Sequence, residues 1–377
     1  MSLPSISRRK FLEGVSAGSA SAALATLPTA PAFHAASRPA PPYPVTVESF
    51  PLVEPYEGAA VHHMKIVMRG SLPDAAQEKI RRLSNQIEMQ FCETEQEFHQ
   101  RVPSANVIYG RFSREDLAVA KELRWIQYTA AGVERILWPE LVESPVVLTN
   151  MQRIYAPVIS ETVIGLLLAL TRGIRRYALQ THDHLWKAVP GLTQISGLTM
   201  GIVGMGGIGT ETAYRAHYGF QMKILGVDPK PLPKPRFVAE LHSEDWLSQM
   251  VPQVDVLVSA APHTRVTEGM FNEQVFRHMK SSAYFINVSR GALVDTPSLV
   301  RALKEGWISG AALDVAYKEP LPQDDALWTA PNILITSHSS GRSPQTIDRQ
   351  MALFTENVRR YLKGLPLLNV VDKKRGY

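Results

Sequence analysis

Residues 199–228 limit this chain to a narrow set of folds. An apolar strand over Met200–Val203 runs into Gly204-x-Gly206-x-x-Gly209, with Gly207 and Ile208 inside the turn. A helical stretch carrying Glu211, Ala213 and Ala216 follows, and a second apolar strand over Ile224–Val227 ends on Asp228. Strand, glycine turn, helix, strand and terminal acid in this order are what dinucleotide binding requires. Gly204 permits the sharp turn, Gly206 lets the backbone approach a pyrophosphate, and Gly209 lets the helix pack close to its strand. The helix N-terminus then offers N–H groups and a positive dipole end to phosphates. Asp228, 19 residues beyond Gly209, is placed to accept hydrogen bonds from ribose hydroxyls. An anion there repels a 2′-phosphate, so NAD is expected over NADP; Lys230 weakens that preference without reversing it.

With 377 residues and 45% apolar content, the chain can bury a large core and divides most naturally into two domains. A formal charge of +5 without basic runs interleaved with aromatics gives no nucleic-acid footprint. The only cysteine, Cys92, excludes an internal disulfide and any cysteine-based metal cluster, and no metal is expected. Cys92 follows Phe91 and reads as a buried structural thiol. Near the N-terminus, Ser7-Arg8-Arg9-Lys10-Phe11-Leu12 resembles a twin-arginine export signal, followed by an Ala/Ser/Gly stretch and small residues at 30–32 that would suit cleavage. Residues 1–45 are therefore expected to be a signal and a Pro-rich tether, directing the protein through the twin-arginine machinery to the periplasm; the alternative is a basic tail on a cytoplasmic protein. No stable membrane insertion is expected, since the apolar run Val163–Leu170 is only eight residues long.

From Met64 onward, strands alternate with helical segments, which implies βαβ units and parallel sheets. Strands are expected near 65–68, 87–91, 106–109, 125–128 and 146–148, a long helix over 158–178, then further strands near 254–258, 284–288, 311–315 and 333–335, and a last helix over 347–362. The expected division is 60–157 with 346–377 as a substrate domain, and 158–345 as the dinucleotide domain. Ligands sit beyond the carboxyl ends of parallel strands, which makes two loops candidates: Gly110-Arg111, and Ala130-Ala131-Gly132-Val133. By composition alone they read as ordinary small-residue loops.

Three ionisable residues follow the last three strands. Arg290 follows Phe285–Ser289, Glu319 follows Leu313–Lys318, and His338 follows Ile333–Ser337. An arginine on that rim can grip a carboxylate bidentately and polarise a neighbouring carbonyl. A histidine can carry the proton that accompanies hydride transfer, and a glutamate against the imidazole favours its charged form and fixes its tautomer. Singly, each is explained as a surface charge, a turn residue or a strand-end cap; together behind a dinucleotide motif they point to an oxidoreductase.

The segments GIVGMGGIG (201–209), INVSRGALVD (286–295), ALDVAYKEPL (312–321) and TSHSSG (336–341) resemble the D-isomer-specific 2-hydroxyacid dehydrogenase family, which includes glyoxylate/hydroxypyruvate reductases. The resemblance spans roughly residues 64–372. It implies an α/β fold of two Rossmann-like domains with parallel sheets and a cleft between them, usually paired as a homodimer. It implies Arg290, Glu319 and His338 as catalytic residues and places Gly110, Ala131 and Gly132 near the substrate carboxylate. Pro262, Thr267, Val288 and Asp314 would line the cofactor, with Asp314 near the nicotinamide amide. The substrate would be a small 2-keto or D-2-hydroxy acid. Gly207 departs from the pattern, standing where many members carry an arginine, and so does the export-like N-terminus. A phosphite dehydrogenase on the same scaffold and a non-catalytic NAD-sensing interaction protein are the alternatives; the glutamate at 319 speaks against a formate dehydrogenase, where glutamine is found.

Overall fold

In the computed structural model, residues 63–377 are described. The export-like segment and the proline-rich tether lie outside the described residues. Five strands form the first sheet: β1 (Met64–Arg69), β2 (Ile87–Cys92), β3 (Val107–Tyr109), β4 (Trp125–Gln127) and β5 (Val147–Thr149). Their order is β2-β1-β3-β4-β5, and every pair is parallel. Between them run α1 (Asp74–Arg81), α2 (Glu95–Arg101), α3 (Arg114–Val119) and α4 (Pro139–Glu143). Ser113 and Asp116 form a reciprocal capping box at the start of α3, which satisfies two N–H groups that the helix itself cannot.

Two helices, α5 (Ala156–Thr171) and α6 (Ile174–His182), lead into the second sheet. It comprises β6 (Thr199–Val203), β7 (Lys223–Val227), β8 (Glu240–His242), β9 (Val256–Ser259), β10 (Tyr284–Asn287), β11 (Gly310–Leu313) and β12 (Ile333–Ile335). The order β12-β11-β10-β9-β6-β7-β8 is again parallel throughout. It reverses direction between β6 and β9, the crevice where doubly wound sheets bind nucleotides. The helices of this half are α7 (Gly207–Phe220), α8 (Leu247–Met250), α9 (Glu273–His278) and α10 (Thr296–Lys304); α11 (Pro344–Leu362) closes the chain. Apolar side chains alternate across the central strands. Val256, Val258, Tyr284 and Ile286 face one core, and Leu257 and Phe285 face the other, so both faces are covered as a parallel sheet demands.

The fold is the expected α/β pair of parallel sheets, with two local differences. The helix expected over 158–178 is two helices that bend by 70°. The break is at Gly173, whose φ of +63° a helix cannot hold, and Val189 and Leu192 fill the space beside it. No single helix among the described residues is long and apolar enough to cross a membrane. The three-residue edge strand β8 was not anticipated: Glu240-Leu241-His242 is only partly buried, and so short a segment carries no periodicity to read.

Cys92 is buried, and that burial pushes its thiol above the usual range. The chain's end belongs to the first sheet. Leu353, Phe354, Val358 and Tyr361 of α11 pack into the same core as Ile66 and Trp125, and Val370 bridges antiparallel to Thr149 of β5. At the centre of this contact, fully buried Asn357 donates to Gln127 Oε1 (3.0 Å) and to the Leu368 carbonyl (3.1 Å), and accepts from Leu368 N–H (2.8 Å). Asn357→Ala would leave those groups unpaired in a dry core. A loss of about 2–3 kcal/mol is expected, read as a lowered urea midpoint, and an unchanged midpoint would show that the network does not anchor α11.

Candidate active site

The glycine turn between β6 and α7 has the steric properties that its spacing predicts. Gly204 has φ +93°, and a Cβ on Gly209 would lie 2.1 Å from the Gly204 carbonyl oxygen, so helix and turn are in backbone contact. At Gly206 a Cβ would meet nothing within 4 Å, leaving the backbone open to a phosphate. At Gly207 the space is taken. A Cβ would lie 2.8 Å from Cγ and 3.0 Å from Cα of Arg153, a residue of the segment before α5, itself held at φ +68°. Ile208 is half-buried beside that contact. Asp228 stands past the end of β7, where its carboxylate accepts from Met205 N–H (2.8 Å) and Lys230 N–H (2.9 Å). Burial is the main influence on this group and pushes its carboxyl upward. Lys230 lies 4.2 Å above the ring of Tyr377, at the C-terminal end of the chain. This geometry fits a dinucleotide: an open glycine at the phosphate position, a helix N-terminus and an acid at the ribose end.

On the other side of the crevice, Thr267 Oγ1 donates to the Pro262 carbonyl (2.7 Å) and accepts from Thr264 N–H (2.8 Å), which fixes the loop after β9. Val288 is buried directly after β10. Asp314 is 1% exposed and its carboxylate accepts three hydrogen bonds. It accepts from the Thr336 hydroxyl (2.5 Å) and from Ser339 and Ser340 N–H (3.1 Å each). Its carbonyl also accepts from His338 N–H at 2.7 Å. In this structure Asp314 therefore organises the His338 loop.

Glu319 and His338 meet directly. His338 Nδ1 and Glu319 Oε2 are 2.7 Å apart, and Glu319 Oε1 accepts from Ala316 N–H at 3.0 Å. The carboxylate is thus held by its own loop and holds the ring, leaving Nε2 as the other ring nitrogen. His338 has φ +52°, a region that non-glycine residues enter at a cost and that the Asp314 carbonyl and carboxylate contacts enforce.

Arg290 does not bond to this pair. It crosses to the first sheet's loops, where Nε donates to Glu134 Oε1 (2.7 Å) while Nη1 donates to the carbonyl of Ser289 (2.7 Å). Gly132 lies under the guanidinium, close enough that a Cβ there would be 1.8 Å from Nη2. The carbonyl of its neighbour Ala131 accepts from Asn150 Nδ2 at 2.6 Å, fixing the loop. Gly110, with φ +109°, ends β3, and its N–H donates to the Gln127 carbonyl at 2.9 Å. The structure thus gathers Arg290 with Gly132, and Glu319 with His338, at the carboxyl ends of parallel strands. Sequence reasoning missed Glu134 and Arg153. Glu134 stands two residues beyond Gly132 in a loop already singled out, but nothing in its spacing marks it, and Arg153 reaches Gly207 only through tertiary contact. Among the described residues no group of three or more His, Cys, Asp or Glu side chains could hold a metal ion.

Comparison with known proteins shows the family. Residues 164–340 match the model of the D-isomer specific 2-hydroxyacid dehydrogenase NAD-binding domain. A glyoxylate reductase of Korarchaeum cryptofilum is 32% identical over 266 residues, covering 69% of this chain and 79% of that protein. A glyoxylate/hydroxypyruvate reductase B of Escherichia fergusonii is 29% identical over 310 residues, 79% of this chain and 95% of its own. Among solved structures, a D-isomer specific 2-hydroxyacid dehydrogenase family protein of Aeromonas salmonicida superposes with a TM-score of 0.72 at 30% identity, covering 83% of this chain and all of the other. Sheet order, glycine turn and relatives agree: the chain belongs to the D-isomer specific 2-hydroxyacid dehydrogenase family.

Proposed function

We propose that this protein is an NAD(H)-dependent reductase of small 2-keto acids, glyoxylate or hydroxypyruvate in the first instance, with Arg290, Glu319 and His338 as its catalytic residues. The observation that carries the reading is the 2.7 Å contact between His338 Nδ1 and Glu319 Oε2. A bound nicotinamide supplies the hydride. The open backbone at Gly206, the α7 N-terminus and Asp228 hold the dinucleotide, with Ile208, Pro262, Thr267 and Val288 around it. Arg290 takes the substrate carboxylate through its guanidinium, with the Gly132 loop beneath it and Gly110 and Ala131 nearby, which turns the keto oxygen toward His338. The imidazole, with Nδ1 committed to Glu319, donates the Nε2 proton to that oxygen. Arginine and imidazolium together stabilise the negative charge that develops there. Turnover of a 2-keto acid panel with NADH tests the reading; nucleotide binding without turnover would favour an NAD-sensing protein instead.

Two further proposals accompany it. The exposed apolar residues of α6 and the loop after it support a homodimer: α6 buries none of its residues, and Ile174, Leu179, Leu185 and Trp186 are all exposed, more apolar surface than a short segment of a monomer usually leaves bare. Arg8 and Arg9 with Phe11 and Leu12 support export to the periplasm through the twin-arginine machinery.

Glu319→Gln keeps the shape but removes the charge that orients His338, and kcat for keto-acid reduction is expected to fall about tenfold to a hundredfold. Unchanged kcat would remove Glu319 from the mechanism. NADH should exceed NADPH in kcat/KM, and Asp228→Ser should narrow the ratio about tenfold; parity in the parent protein would refute the role given to Asp228. Trp186→Glu combined with Leu185→Glu should convert a dimer to a monomer in light scattering at micromolar concentration, and an unaltered mass would place the interface elsewhere.

A further inference from the structure

Arg290 already carries an anion. Its Nε donates to Glu134 Oε1 at 2.7 Å, its Nη1 donates to the Ser289 carbonyl, and its Nη2 lies over Gly132. The two partners are 156 residues apart and stand on loops of different sheets, so the ion pair joins those loops at the guanidinium that the proposed function gives to the substrate. Burial by itself would raise the Glu134 carboxyl, but the charge and hydrogen bond of Arg290 outweigh it and hold the group below the usual carboxylate range. At neutral pH, therefore, a carboxylate of the protein occupies the guanidinium assigned above to the substrate. His263 is the other charged group acting on Glu134, and it too favours the anion; Arg111 and Arg135 stand with Glu134 and Arg290 around Tyr128.

We propose that Glu134 is a built-in competitor for the substrate carboxylate, exchanging with it on Arg290 Nε and so setting the affinity of the site for anionic substrates. The inference rests on the reading of Arg290 as the carboxylate-binding residue. One guanidinium cannot give its Nε proton to two carboxylates in full, and two anions at hydrogen-bond distance from one cation repel each other. A substrate carboxylate thus gains only the difference between its own contact and the one it displaces. A substrate without a carboxylate has no such exchange to make. Glu134 is in this sense a specificity-determining residue: it lowers affinity for every small anion that Arg290 would otherwise hold, and an anion that also engages the loop N–H groups and His338 recovers the loss.

The test is Glu134→Gln, which keeps the length of the side chain and an oxygen for Nε but removes the charge. Oxalate binding to the full chain saturated with reduced cofactor is measured by calorimetry, and KM is measured for glyoxylate and for uncharged methyl glyoxylate. About tenfold tighter oxalate binding is expected, with a parallel fall in the glyoxylate KM and no change for the ester. Unchanged oxalate affinity would overturn the proposal. Weaker oxalate binding would overturn it as well, because Glu134 would then be positioning Arg290 rather than competing for it. If Glu134→Gln does not fold, Glu134→Asp withdraws the carboxylate by one methylene and should tighten oxalate binding several-fold. Absence of keto-acid turnover in the parent protein would refute the proposed function, yet the oxalate comparison would still decide the role of Glu134.

Discussion

Two buried polar side chains at adjacent strand ends hold the candidate site in shape. Asn287, the last residue of β10, donates from Nδ2 to the Arg290 carbonyl (2.9 Å) and accepts from Ser289 N–H (3.1 Å) and Ser289 Oγ (2.9 Å). Asp314, just past β11, gathers Thr336, Ser339 and Ser340 onto its carboxylate. The two are joined, because Asp314 N–H donates to the Asn287 carbonyl at 2.9 Å. A carboxylate so deeply buried must be fully hydrogen-bonded to be tolerated, and that requirement ties the loops after β10, β11 and β12 into one rim. Arg290 and His338 thus follow backbone fixed by polar groups that are buried from solvent.

The rim also explains why the backbone at His338 is held in an uncommon conformation. Its N–H is committed to the Asp314 carbonyl and the next two N–H groups to the Asp314 carboxylate, so the chain must turn through φ +52°. The imidazole emerges facing Glu319, whose other oxygen is fixed by Ala316 N–H. A proton donor held in this way loses little freedom when a substrate arrives, which is where positioned groups gain their advantage. By contrast, the Arg290 guanidinium meets Glu134 of a first-sheet loop, so the anion it carries depends on how the two sheets meet.

The second sheet and its nucleotide crevice were legible because their determinants are local. The spacing of Gly204, Gly206 and Gly209 and the acid at 228 encode a turn, a close packing and a strand end within thirty residues, and alternating βα segments leave few other topologies. The strand-end positions of Arg290, Glu319 and His338 were legible for the same reason, each following an apolar strand at short range. The boundary errors have local causes too: Gly173 ends α5 inside an apolar pattern that would otherwise continue, and β8 is too short and too exposed to carry a signal.

By itself the sequence determined the α/β class, the parallel strands, the dinucleotide turn and the residue types on the rim, since strand period, glycine spacing and strand-end chemistry are written in neighbouring positions. Tertiary structure alone decided which charges meet. It brought Glu134 to Arg290 across 156 residues, set the stem of Arg153 against Gly207, turned Asp314 inward to serve its own loops and returned Asn357 to Gln127 of the first sheet. Those pairings follow from how two sheets and a returning helix pack, and no periodicity along the chain records the direction in which a side chain will find its partner.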